Sequence, residues 1–188
     1  MKKSNLWIIR QSFANTVFTH KVHESASESQ GKKAVKVKIV NIVIVSLVLI
    51  LLITQSLFPQ QIIFTYISTG ISVAEIIFLI IQLSFIFDEK ASQHKSSALK
   101  FMGLRDRYKN LIADIMEGNI SKKDVVARRD MLQDEYQTIC DLSSQTQDVD
   151  YKSAQIKLNK KGLRKGEEFT WSDEEIDHFL PKKLHITK

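Results

Sequence analysis

Two apolar runs separated by three residues leave this chain few folds to choose from. Ile39 to Phe58 is 20 residues without Asp, Glu, Lys or Arg, and Ile62 to Phe87 is 26 residues with the single charge Glu75. At about 1.5 Å of helical rise per residue, each run reaches across the roughly 30 Å hydrocarbon core of a bilayer. Each also exceeds the length of about 18 residues that separates a membrane span from a buried core helix. The interruption, Pro59-Gln60-Gln61, has room only for a tight turn. The two helices are therefore predicted to run antiparallel and side by side, as a transmembrane hairpin.

The spans claim residues 39–87 of a 188-residue chain and leave no large soluble core. An excess of 27 Lys and Arg over 21 Asp and Glu, with an isoelectric point near 9.3, raises the question of nucleic acid. The distribution answers it: residues 1–38 carry eight basic and two acidic side chains, and residues 88–188 carry nineteen and eighteen. The net charge thus stands before the first span, with Lys32, Lys33, Lys36 and Lys38 against it as a membrane-surface cluster. This is what the positive-inside rule asks of a cytoplasmic flank, so both termini are expected in the cytoplasm and no nucleic-acid partner is expected. The same lysines should attract anionic lipid headgroups, at about 1 kcal/mol each.

Arg10, Gln11 and Asn15 interrupt any signal-peptide apolar region, so the first span is expected to act as the insertion signal. The lone Cys140 has no partner in its chain and no activating neighbour, and reads as an inert thiol on a helix.

Residues 1–38 read as an amphipathic helix followed by the basic flank. Ser4 is placed to cap it, and Leu6, Ile9, Phe13, Val17 and His20 recur at helical spacing. Trp7, Phe13 and Phe18 among Arg10 and Lys21 suit an interfacial membrane helix, while a helix packed on the protein's own cytoplasmic helices accounts for them equally. Glu24 to Gly31, rich in Ser, Glu and Gln, predicts a break. His20, His23 and Glu24 lack a second ligand cluster and read as solvated rather than metal-binding.

In the second span Thr65, Ser68, Ser72, Glu75 and Gln82 follow a seven-residue repeat on one face, with Leu79 filling the remaining position. Lipid offers no hydrogen bonds, so this stripe should face another helix or a water-filled path, and Asn41 and Gln55 of the first span are candidates to meet it. Glu75 lies about 20 Å along its helix, past mid-depth. Its insertion costs about 3 kcal/mol, against roughly 0.3 to 0.6 kcal/mol gained by each of 16 Ile, Leu, Phe and Val residues in the span. Lining an ion path and bonding across a helix interface both remain open to it.

Residues 88–145 read as a cytoplasmic helical hairpin. The second span is expected to run on into it as one rod, with Ala91, Ala98, Phe101, Leu104, Tyr108, Leu111, Ile112 and Ile115 on one side. Gly118-Asn119 stops that rod, and Ser121 with Asp124 starts a helix with Val125, Leu132, Tyr136 and Ile139 as its apolar side. Phe101, Leu104, Tyr108, Leu111, Ile115, Leu132 and Tyr136 are the candidate cytoplasmic assembly residues. Arg105, Arg107, Arg128, Arg129, Asp130 and Asp134 read as its solvated or subunit-facing sides.

Residues 146–188 hold the rest of a polar linker running from Ser143 to Asp150, a weak helix from Tyr151 to Lys161, Gly162 and Gly166, and a capped helix. In that last helix Ser172 and Glu175 form a capping box, with a staple between Trp171 and Ile176. The fold class is accordingly an all-α membrane protein: a two-helix transmembrane hairpin, an N-terminal amphipathic helix and a cytoplasmic helical hairpin. No phosphate-binding loop, nucleophile elbow, paired carboxylates or metal spacing is present, so an enzyme is not expected, and neither is a cofactor.

An amphipathic helix with an early Trp, a basic flank, two spans with a minimal loop, and a long helix running from Phe87-Asp88-Glu89-Lys90-Ala91 through His94, Ala98, Leu104, Tyr108 and Leu111 together resemble the SLATT family. These are two-transmembrane effector modules of bacterial nucleotide-signalling conflict systems. The resemblance covers about residues 5–145 and reaches, more loosely, the tail residues Glu174-Glu175-Ile176-Asp177 and Phe179-Leu180-Pro181. It implies a homo-oligomer that breaches the inner membrane of a phage-infected cell when a nucleotide-synthesising or sensor partner is triggered. The chain departs from fused family members in having no recognisable nucleotide-binding domain. The alternative is a non-conducting anchor whose spans tether a helical module that docks a partner.

Overall fold

The computed structural model describes residues 3–83, 86–159 and 170–187. It contains α1 (Lys3–Leu57), α2 (Ile63–Leu83), α3 (Phe87–Glu117), α4 (Lys122–Leu142), α5 (Asp148–Lys157), α6 (Asp173–Phe179) and a 3-10 turn at Lys182–Leu184. No strand occurs among the described residues. The chain forms two compact units: Glu28–Ala91, the hairpin unit, and Met1–Ser27 with Ser92–Lys188, the helical unit.

The predicted break at Glu24 to Gly31 does not occur, because α1 is helical from Lys3 to Leu57. Ser25, Ala26, Gln30 and Ala34 are buried there, and burial outweighs the weak local preference of Ser, Glu and Gln for non-helical backbone. Ser4 lies inside α1 rather than capping it. Whether α2 runs on into α3 turns on residues 84 and 85, outside the described residues, as are Lys161, Gly162 and Gly166.

In the helical unit, Ile9, Phe13 and Val17 of α1 recur every four residues and bury one face. They join Phe101, Leu104, Tyr108 and Ile112 of α3, with Val125, Leu132 and Ile139 of α4, in one core. Each such side chain contributes about 1.5–3 kcal/mol by leaving water. Of the two readings of the first helix, packing on the protein's own helices is the one observed. The α3–α4 turn forms as expected: Gly118 has φ +73°, a left-handed conformation that suits glycine, and the Asn119 N–H donates to the Asp114 carbonyl at 3.0 Å. The Ser121 hydroxyl then caps α4 by accepting from the Asp124 N–H. Arg128 reaches Asp114 at 2.9 Å and Arg107 pairs with Glu135, so these charges tie α3 to α4.

α5 begins at Asp148, three residues before the expected Tyr151. The Asp150 carboxylate accepts from the Gln147 N–H at 3.1 Å and secures the start. The α6 capping box of Ser172 and Glu175 is present, with both staple residues, Trp171 and Ile176, buried. This tail docks on α1. Gln11 donates to the Trp171 carbonyl at 2.8 Å and accepts from the Trp171 N–H at 2.9 Å, and the Trp171 indole donates to Asn15 at 2.8 Å. Arg10, with no exposed surface, donates to the Asp177 carboxylate at 2.6 Å.

Candidate functional site in the hairpin seam

α1 and α2 are joined by a short turn in which the Gln61 N–H bonds the Phe58 carbonyl and the Gln55 amide reaches the Pro59 carbonyl at 3.3 Å. At the other end of the unit Lys38 and Asp88 form an exposed ion pair at 2.8 Å. Between them each helix has one shielded face. On α1 it runs through Val37, Asn41, Ile44, Val48, Leu51 and Gln55, and on α2 through Phe64, Ser68, Ser72, Glu75, Phe78 and Gln82. Steps of three and four residues on both sides make a seven-residue seam between antiparallel helices. The outward faces are apolar and exposed, Ile42, Leu49, Ile53, Ile76 and Ile80 among them.

The polar stripe of α2 therefore faces α1, and the shielded row of α1 that includes Asn41 and Gln55 faces α2. Ser68 is 2 % exposed and Glu75 7 %. Two of the expected positions shift. Thr65 is exposed because Phe64, about 100° away around the helix, takes the seam position, and Phe78 occupies the place expected for Leu79.

The chemistry of the seam is one-sided. Its hydroxyls are satisfied locally: Ser68 donates to the Thr65 carbonyl at 3.0 Å and Ser72 to the Ser68 carbonyl at 2.8 Å. The oxygens are not. Asn41 Oδ1, Gln55 Oε1, both carboxylate oxygens of Glu75 and Gln82 Oε1 are buried without a hydrogen-bond partner. A buried acceptor left unmade costs about 1–3 kcal/mol, so five together mark the seam as a place where stability has yielded to another demand. What these acceptors suit is a proton, water or a cation.

The SMODS and SLOG-associating 2TM effector domain family 4 matches the chain over residues 6–175. The chain belongs to this family. SLATT proteins of this kind are two-transmembrane effector domains associated with nucleotide-signalling conflict systems. The two long apolar helices are accordingly its membrane pair. No curated protein and no solved structure matches the chain.

Other expected residues lie elsewhere in this SLATT chain. Lys32, Lys33 and Lys36 are exposed on α1. Phe101, Leu104, Tyr108, Leu111, Ile115 and Leu132 are buried in the helical unit's own core, and the half-buried Tyr136 packs against it. Cys140 is half-buried on α4, where burial pushes its thiol pKa up. Among the described residues no three metal-ligating side chains converge.

His23, expected in solvent, is buried instead: its Nδ1 lies 3.1 Å from that of His94 and its ring stacks on Phe101. Its neighbour His20 bonds the Ala98 carbonyl at 2.8 Å, and Glu24 pairs with Lys21. Burial, then His94, lower the His23 pKa to about 4 against a smaller opposing pull from Asp150. The position of His94 in the row Ala91, Ala98, Phe101, three residues after Ala91, was the available signal for its burial.

Proposed function

We propose that this SLATT chain is a bacterial anti-phage effector that oligomerises in the inner membrane and opens a pore in abortive infection. Its termini are in the cytoplasm, and a nucleotide-synthesising or sensor partner supplies the trigger. The observation that carries this reading is the row of five buried, partnerless oxygens in the seam. In a lone hairpin they stay hidden at a cost. In a closed head-to-tail ring, a rotation of each hairpin would turn them toward a shared aqueous path, where water and cations satisfy them. Ionised Glu75 would then favour cations. The helical unit gates this step, its packed α3 and α4 transmitting the partner's signal.

The test is potassium and dye leakage from bacteria expressing the chain at controlled level with its neighbouring genes. Leakage should occur on triggering and be lost in Glu75→Gln with insertion unchanged. An intact membrane under every condition removes the pore. Exchange of both spans for unrelated apolar helices then decides for the anchor reading, since an anchor keeps its activity.

A further inference from the structure

The hairpin unit has a second feature, on a face the seam does not use. Gly31, Lys32, Val35, Lys36, Ile39 and Val40 of α1 line a groove of about 560 Å³. Steps of one and three residues put them on one side of the helix. Glycine is a poor helix former, and a Cβ at Gly31 would meet no atom within 4 Å, so no close packing demands it. Its missing side chain leaves the head of the groove open.

The order of chemistry along the groove is informative. Lys32 and Lys36 are exposed and enter no ion pair among the described residues, whereas Lys38, two residues on, is engaged by Asp88 at 2.8 Å. Val35 stands between them, and beyond Lys36 the exposed Ile39 and Val40 continue an apolar floor. Ile39 is the first residue of the uncharged span. Gly31 to Ile39 is about 12 Å of helix, the depth of a headgroup and the first methylenes of its chains. Ammonium groups followed by an apolar floor match phosphate followed by acyl chain, in the order a membrane presents them to an entering helix.

We propose that this groove binds one anionic phospholipid, its phosphate between the Lys32 and Lys36 ammonium groups and the start of an acyl chain along Val35, Ile39 and Val40. The site requires only that α1 cross the membrane, and is independent of whether the protein conducts. Diffuse attraction would use all the lysines alike. A built site depends on the groove, and Lys33, exposed but outside it, is the internal control.

The experiment uses the full chain in nanodiscs of phosphatidylcholine and phosphatidylglycerol, with the retained lipid counted by native mass spectrometry after release. The unmodified protein should retain phosphatidylglycerol in preference. Lys32→Gln and Lys36→Gln should each weaken that preference roughly fivefold, the equivalent of about 1 kcal/mol per lysine. Gly31→Leu, which fills the groove without changing charge, should abolish it, and Lys33→Gln should leave it unchanged. Equal losses in Lys33→Gln and Lys32→Gln, or no discrimination between the two lipids, overturn the site. The lysine variants alter exposed side chains, so that comparison decides even if Gly31→Leu fails to insert.

Discussion

The Nδ1 atoms of His23 and His94 face each other at 3.1 Å, both rings buried in the helical unit. A hydrogen bond at this distance needs one Nδ1 to donate and the other to accept, the roles being set by the tautomers. Because burial and His94 hold the His23 pKa near 4 while the unfolded chain keeps about 6.5, the unfolded state takes up a proton first as pH falls. The stability this group contributes is complete above pH 6.5 and drains away between 6.5 and about 4. The loss should be on the order of 3 kcal/mol. Chemical denaturation in detergent at a series of pH values should show it, and His23→Gln should flatten the slope in that window.

Arg10 and Asp177 form another buried polar contact between distant parts of the helical unit. Burial pushes the Asp177 pKa up, but bonds from Thr187 and Arg10 outweigh it and hold it near 2. Arg10→Met leaves a buried carboxylate without its cation and should cost about 3–5 kcal/mol. Arg10→Met with Asp177→Leu should recover much of that loss, because the stranded charge is gone. A double-mutant cycle read by thermal unfolding checks both statements; additive losses would deny the coupling.

Two glycines should respond with opposite sign. Gly118→Ala forces a Cβ into φ +73° and should destabilise by about 1–2 kcal/mol. Gly103→Ala sits inside α3 with nothing within 4 Å of the new Cβ, and should stabilise by about 0.5–1 kcal/mol. Unfolding midpoints of the two variants in the same detergent give the comparison.

Glu75→Leu removes two of the five partnerless oxygens from the seam. Membrane insertion of the second span should become more favourable by about 3 kcal/mol on insertion scales. A glycosylation reporter of span insertion should register the gain; reduced insertion would show that Glu75 has a partner that stabilises it in the membrane.

Elements governed by neighbouring residues were legible in the sequence. The Gly118 turn, the Ser121 cap, the Ser172–Glu175 box and the spans all arise from local conformational preference or unbroken apolarity. The repeat in α2 likewise placed Ser68, Ser72, Glu75 and Gln82 on one face, while Thr65 lies at its edge because the pattern of polar residues passes over the apolar Phe64 that takes the seam position. Failures came where distant parts of the chain decide. Glu24 to Gly31 reads as a break by composition, yet burial holds it helical. His23 reads as solvated until α3 brings His94 beside it. Arg10 lies 167 residues from Asp177, and nothing in either neighbourhood pairs them.

The clasp between the tail and the first helix has a consequence for synthesis. A ribosome releases Phe13 88 residues before Phe101, with both spans lying between them. The first helix must therefore wait, its apolar face uncovered, while the hairpin is delivered to the translocon. Arg10 waits longer still, until Asp177 emerges 167 residues after it. A nascent chain stopped after Leu142 would carry both spans but lack Trp171 and Asp177, and would depend on chaperones to shield the helix that those residues normally clasp.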